Sequence, residues 1–368
     1  MSHDTANGAR ITLKLITWDD PRGYGPMQAV ADAFLTTAQG RGVQIVWDIQ
    51  PLGGFESHPL ADLAKRYDLI NMDHPHVGDA VASNCLLPFA DLPDEYIGPT
   101  LQSYRMNDRY WAVPIDAACQ VAAYHADRLP HAPRSYDDVF ELAKQGIRVG
   151  ASLAGIHALM AFFTLLAQLG HPIATEPGDA LPDPAVLIDA ANRLRRLHRV
   201  MVAPSVDQNP LQLFAAMARG ECDYAVFTFA YVSAQKHKIR FAPVPSIDNS
   251  ASKGAVLGGT GLAVSAHTHH PQVAQNFAQF VASQAIQTHL WPKHGGQPAH
   301  RHAWENLAPT DPFYRELTPA LATAYIRPRF AGWNDLQSKA GTIINQWLKD
   351  PNAKASQLEQ QLRRSWER

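Results

Sequence analysis

Apolar positions alternate over residues 11–18 and again, strictly, at Val43, Ile45, Trp47 and Ile49, which predicts two strands. Between them Met27, Val30, Ala31, Phe34 and Leu35 recur at helical spacing, so a helix should bury one face there. A polar turn, Asp19, Asp20, Pro21, Arg22 and Gly23, separates the first strand from that helix. A third strand is expected at 67–72, running straight into Asp73, His74, Pro75, His76, Val77 and Gly78. In an open α/β sheet the loops leaving the C-terminal ends of strands line the ligand crevice, and both polar loops leave strands that way.

The segment DRYWAVPIDAACQVAAYHAD holds two β-type runs, 109–113 and 120–124, joined through Pro114. Proline fixes φ and removes a ladder donor, so one strand is expected to end there and the chain to leave in a new direction. One α/β unit precedes this segment and a second follows, so it reads as a crossing between two sheets.

Beyond it, Ser135 with Asp138 has the form of a capping box for a helix running to about Gln145. A short strand at 147–150 and an apolar helix at 156–169 come next, then a Pro/Gly/Asp-rich loop at 172–184. Helices are expected at 185–199 and 210–219, and strands at 223–227, ending at Thr228 and Phe229, and at 239–244. A Ser/Asn/Gly-rich surface loop at 246–254 precedes a glycine-rich strand at 257–265, where Gly259 and Thr260 offer close backbone approach or a second crossing. Helices at 271–282, 311–322, 334–349 and 354–366 complete the chain, with no internal repeat.

At 368 residues the chain is too long for one ordinary core and predicts about two domains. Its 32 basic against 34 acidic residues, net charge -2, give no reason to expect nucleic acid or an anionic membrane as partner. Cys85, Cys119 and Cys222 are odd in number and far apart, which suits small buried apolar residues better than a disulfide framework or metal site. No run reaches the roughly 18 apolar residues of a membrane helix. The N-terminus, MSHDTANGAR, has no basic stretch followed by an apolar one, which leaves a cytoplasmic protein or one whose export signal was replaced by a short leader.

Five stretches, in this order, resemble the family 1 extracellular solute-binding proteins, the carbohydrate-type receptors of bacterial ABC importers that include the maltose-binding type. TWDDPRGYGPMQAVADAF is similar to the family's first strand, ligand loop and helix, and YDLINMDHPHVGDAVASNCLLPFADL to its next lobe-facing segment. YWAVPIDAACQVAAYHADRLPHAPRSYDDVFELAK resembles its hinge and the helix start after it, and AAMARGECDYAVFTFA an inner strand. GGTGLAVSAHTHHPQVAQNFAQFVASQAIQTHLWPKHGGQPAHRHAW resembles its return crossing and Gly-x-x-Pro-Ala close.

The resemblance implies an α/β, two-lobe periplasmic-binding-protein-like fold of type II, with hinge-connected lobes and a ligand cleft between them. One lobe is expected from 1–115 plus 262–308 and the other from 116–261 plus 309–368. It implies a monomer in the periplasm or at the cell surface whose partners are a small-molecule solute, a sugar or sugar derivative, and the membrane permease of an ABC importer. No catalysis, cofactor or metal is called for.

Within that frame the first-lobe candidates for ligand binding are Trp18, Asp19, Asp20 and Arg22, with Asp73, His74 and His76. Trp18 suits stacking on the apolar face of a sugar ring or, equally, core packing. Asp19, Asp20 and Arg22 suit hydrogen bonding to hydroxyls, or a solvated turn in which Asp20 caps the helix. Asp73, His74 and His76 fall short of the three or four converging ligands that a metal needs, so hydrogen bonding by His74 is preferred. His267, His269 and His270 read as a solvated helix cap.

Asp116, just past the hinge proline, faces the cleft; Thr228, Phe229 and Tyr231 leave a second-lobe strand, beside Gly259 and Thr260. Arg327, Arg329 and Trp333, in YIRPRFAGW, would close over the ligand or form an ordinary turn. One rival reading comes from thiaminase-like enzymes, which use the same two-lobed fold with a nucleophilic cysteine near the hinge, where Cys119 lies; another is a binding protein for a small carboxylate or aromatic solute, which the aromatic, Arg and His residues near the expected cleft leave open.

Overall fold

The computed structural model describes residues 11–173, 180–248 and 254–366. Among them are eleven strands: β1 (Ile11–Trp18), β2 (Val43–Gln50), β3 (Leu69–Met72), β4 (Leu86–Leu87), β5 (Arg105–Met106), β6 (Arg109–Tyr110), β7 (Val113–His125), β8 (Val149–Gly150), β9 (Tyr224–Phe229), β10 (Ile239–Ala242) and β11 (Leu257–Ser265). The main sheet runs β2-β1-β3-β11-β7-β9-β8, with β10 on β7 and β4 on β11, while β5 and β6 form a separate pair.

β1 lies parallel to both β2 and β3, so their three C-terminal ends share one edge of the sheet. The loops leaving that edge carry Trp18–Arg22, the helix Leu52–Ser57, and Asp73 with the turn His74–His76. β8 and β9 are likewise parallel, and their C-terminal ends lead into the helix Ile156–Gln168 and to Tyr231. Each half of the molecule therefore offers strand-end loops to the other.

Two long strands join the halves. β7 pairs β11 over its first residues and β9 and β10 over its last, and β11 continues onto β3. Contrary to expectation, Pro114 does not end a strand: β7 runs unbroken through it from Val113 to His125. The reason is a bulge in β7 itself: Pro114 faces Gly261 and Asp116 faces the adjacent Thr260, so that Ile115 between them has no partner in β11. A bulge leaves a residue unpaired, and a proline is tolerated where the ladder is already interrupted.

Alternation along β1 sends Leu13 and Leu15 into one layer and Ile16 into the other. The first layer, with Phe34, Phe277, Trp291 and Trp304, continues across β7 to Phe214, Phe241 and Phe313. The second half has its own core, where Phe162, Phe163 and Trp333 pack between the helices Ile156–Gln168, Pro184–His198, Trp333–Lys349 and Ala355–Trp366. All three cysteines are buried.

Most expected helices appear within a residue or two of their anticipated ends, and the Ser135/Asp138 capping box forms as expected. Four strands are shorter than expected, β3, β6, β8 and β10. The sequence reading lacked the helices Leu52–Ser57, Leu60–Ala64 and Arg301–Leu307 and the π-helical segment Ile286–Leu290. The loops expected at 172–184 and 246–254 lie partly outside the described residues.

Candidate functional site

A cavity lies where the strand-end loops of the two halves meet. Its lining comprises Trp18, Arg22, Leu52, Phe55, Glu56 and Asp73 from the first half, and Ala118, Ile156, His157, Met160, Pro210, Phe229, Tyr231, Gly258, Gly259, Thr260 and Arg327 from the crossing strands and the second half. It encloses about 60 Å³.

Trp18 ends β1 with its ring buried, tilted against Phe55 at 5.2 Å between centroids. Gly23 lies so close under the indole that a Cβ there would come within 2.6 Å of it, which explains a glycine in this turn. Asp20 caps the helix Pro21–Tyr24 by accepting from the Arg22 backbone N–H at 2.8 Å, and Ser233 Oγ donates to it at 3.0 Å from across the cleft. Burial pushes the Asp20 carboxyl up, against the pull of those donors.

Arg22 has the greatest reach. Its Nε donates to Asp116 Oδ2 at 2.6 Å, Nη2 donates to the other Asp116 oxygen, and Nη1 donates to the Ala230 carbonyl at 2.7 Å. The guanidinium lies over the Tyr231 ring, 4.6 Å from its centroid, and 6.0 Å from that of Trp18. Burial alone would weaken the cation, but Asp116 outweighs it and raises the Arg22 pKa. Burial raises the Asp116 carboxyl in turn, and Arg22 pulls it back. With two N–H donors on its two oxygens, Asp116 is a carboxylate and the pair is charged.

A second buried pair closes the other side. Asp73, at the end of β3, accepts from Arg327 Nη2 at 2.5 Å, from the His74 backbone N–H at 2.8 Å, and lies 3.0 Å from His74 Nδ1. Burial would raise the Asp73 carboxyl, yet Arg327 and His74 hold it well below the usual carboxylate range. Burial, reinforced by Arg327, pushes the His74 imidazole down to about 4, so it is neutral at pH 7. At the rim, His157 Nε2 stands 3.3 Å from Glu56 Oε1 without hydrogen-bond alignment. Several buried polar atoms have no partner: Thr260 Oγ1, Arg327 Nε, His74 Nε2 and both ring nitrogens of His157. Buried groups of this kind are satisfied in nearly all native structures, so a cavity lined by them suits a polar ligand.

Of the expected site residues, Trp18, Arg22, Asp73, Phe229, Tyr231, Gly259, Thr260 and Arg327 come together in the lining. Asp20, His74 and Asp116 stand behind it as partners of those side chains. The remaining five lie elsewhere. Asp19 is exposed to solvent. His76 is buried with Nδ1 3.0 Å from Asn334 Nδ2. Thr228 turns to the opposite strand face and accepts from Ser152 Oγ at 3.2 Å. Arg329 donates to the Arg105 carbonyl at 2.9 Å. Trp333 is buried in the second core, stacked at 6.1 Å on Phe163.

Cys119 lies in β7 with its thiol buried, and that burial pushes it up to about 12, the reverse of an activated nucleophile. Sequence reasoning missed Phe55, Glu56, His157 and Met160. The signal for the first two was available, since the loop after β2 leaves the same sheet edge as those after β1 and β3.

Residues 18–288 match the family model for the bacterial extracellular solute-binding protein. An arabinooligosaccharide-binding protein of Halalkalibacterium halodurans is 21% identical over 246 residues, 60% of this chain and 55% of that protein, so the match spans about half of the relative's length. A maltose-bound protein of T. maritima superposes with a TM-score of 0.84 at 18% identity, over 97% of this chain and 99% of its own. A Thermotoga lettingae solute-binding protein of an ABC transporter, solved with α-D-tagatose, superposes with a TM-score of 0.80 at 14% identity, over 97% and 100%. The fold is thus α/β with two hinge-connected lobes, of the type II periplasmic-binding-protein-like kind, and the chain belongs to the bacterial extracellular solute-binding proteins.

Proposed function

We propose that this protein captures a small polar solute, a sugar or sugar derivative, by closing its two lobes around it, and hands it to the permease of an ABC importer. The observation that carries this reading is a cavity whose lining comes from both halves and includes unpartnered polar atoms on Thr260, Arg327 and His157. Hydroxyls supply both donors and acceptors for such atoms, and the Phe55 and Phe229 rings of the lining suit the apolar side of a sugar. The sugars bound by the relatives support the same ligand class.

The lobes in this reading are 1–115 with 262–308, and 116–261 with 309–368, joined by β7 and β11. Ligand touches both only when they are closed, so it shifts the population toward closure by its differential affinity. The receptor acts outside the cytoplasmic membrane as a monomer and binds without turnover. No helix among the described residues is long and apolar enough to cross a membrane.

A thermal-shift screen against sugars, polyols, sugar acids, amino acids and thiamine-like compounds tests the reading. A ligand at a hundred times its dissociation constant adds about 2.7 kcal/mol of stability. Stabilisation by one or more sugars or polyols is expected. Stabilisation only by amino acids, or only by a thiamine-like compound, would count against it.

A further inference from the structure

The lining of the cavity is already crowded by the protein's own cation. Arg22 lies on Tyr231 and beside Trp18, the positions where an aromatic face would otherwise receive a sugar ring. It is fixed there by Asp116 and by the Ala230 carbonyl, so the obstruction is built in rather than a loose side chain. Phe55, Leu52 and the backbone of Gly23 also cover the Trp18 ring, which leaves little of it for a ligand. The remaining space is about 60 Å³. That is far below the roughly 300–1,000 Å³ of an ordinary small-molecule pocket, so only a small ligand is accommodated.

Charge narrows the class further. The two guanidiniums of the lining are each committed to a buried carboxylate, Arg22 to Asp116 and Arg327 to Asp73. The lining also carries the Glu56 carboxylate, set against His157. An anionic ligand would therefore meet the Asp73 and Glu56 carboxylates, with Arg327 Nε the one guanidinium N–H of the lining left unpartnered, while Thr260 Oγ1 is open to a hydroxyl.

Resting on the sugar-receptor reading above, we propose that Arg22 is a specificity-determining residue that restricts the ligand to one neutral ring, or an acyclic polyol of that size. Longer saccharides and sugar acids are excluded, the first by the volume that Arg22 fills, the second by the carboxylates that neutralise both guanidiniums.

Titration calorimetry of the full chain tests this with three sets of probes. The first is neutral and small: L-arabinose, D-glucose, D-galactose, D-tagatose and ribitol. The second is longer: maltose, maltotriose and arabinotriose. The third is acidic: D-gluconate and D-galacturonate. At least one member of the first set is expected to bind, with every longer or acidic probe at least 100-fold weaker. A longer saccharide or an acid binding as tightly as the best small probe would overturn the restriction while leaving the sugar-receptor reading intact. A panel on which no probe binds would remove that reading and this inference with it. The double variant Arg22→Ala/Asp116→Ala, which removes both charges together and is checked for folding by circular dichroism, is expected to bind maltose or arabinotriose at least tenfold more tightly than the parent. A folded double variant with unchanged affinity for both would show that Arg22 is not the barrier.

Discussion

Arg22 and Asp116 show how much a single pair decides. Both are buried, so removing one partner strands a charge away from water. Asp116→Ala is expected to destabilise the protein by about 3–5 kcal/mol in urea unfolding, whereas Arg22→Met/Asp116→Leu should lose far less or gain. Equal losses in the two variants would contradict the charged-pair account. His74 supplies a second residue-level test. Its pKa falls from 6.5 in the free imidazole to about 4 in the folded chain. Between those values the unfolded chain binds a proton that the folded chain does not. The stability it contributes is therefore full above pH 6.5 and is lost as pH falls toward 4, by about 3 kcal/mol. The raised carboxyls of Asp20 and Asp116 act in the opposite direction, so the informative quantity is a difference. Over that window His74→Gln should lose less stability than the parent, and parallel pH profiles would rule the assignment out. Which residues reach the site was only partly legible in sequence. Thr228 and Phe229 are neighbours on a strand, and alternation allows only one of them to face the cavity; nothing local says which. Trp333 carried a plausible aromatic face, but three residues earlier Phe330 begins a turn that packs it inward at 5.6 Å.

Among elements, those with strong local chemistry were the legible ones. Capping boxes at Ser135/Asp138 and Asn209/Gln212, and Pro at the first turn of several helices, mark starts that sequence alone can place. Ser135→Ala is expected to cost about 1 kcal/mol in thermal or urea unfolding. The π-helical segment Ile286–Leu290 carries no such signature, and the unbroken path of β7 through Pro114 depends on a bulge at Ile115 whose register is set only by pairing with the distant strand β11. That bulge sits beside Gly259, whose φ of +104 and close approach to Asp116, where a Cβ would come within 2.4 Å of the backbone carbonyl, both require glycine. Gly259→Ala should therefore destabilise by more than about 1 kcal/mol, because the new side chain meets both strain and backbone. A neutral result would show that the crossing strands have room to shift.

At the scale of the whole molecule, the cleft gathers residues from Trp18 to Arg327 that no local pattern connects. The fold class was legible because five stretches occur in the order of a family whose lobes exchange strands twice. The closure was not, since it depends on which loop meets which across the gap: Asp20 with Ser233, Arg22 with Ala230, Asp73 with Arg327, Glu56 with His157. Those contacts describe the closed arrangement, with the seam drawn shut around a small space. If ligand binding selects that arrangement, its free energy must come from contacts that only the closed lobes supply.

Small-angle X-ray scattering of the protein with and without its tightest-binding sugar tests that claim most directly. The radius of gyration is expected to fall on saturation to the value of the closed structure. A sugar that binds while the radius stays unchanged would contradict capture by lobe closure.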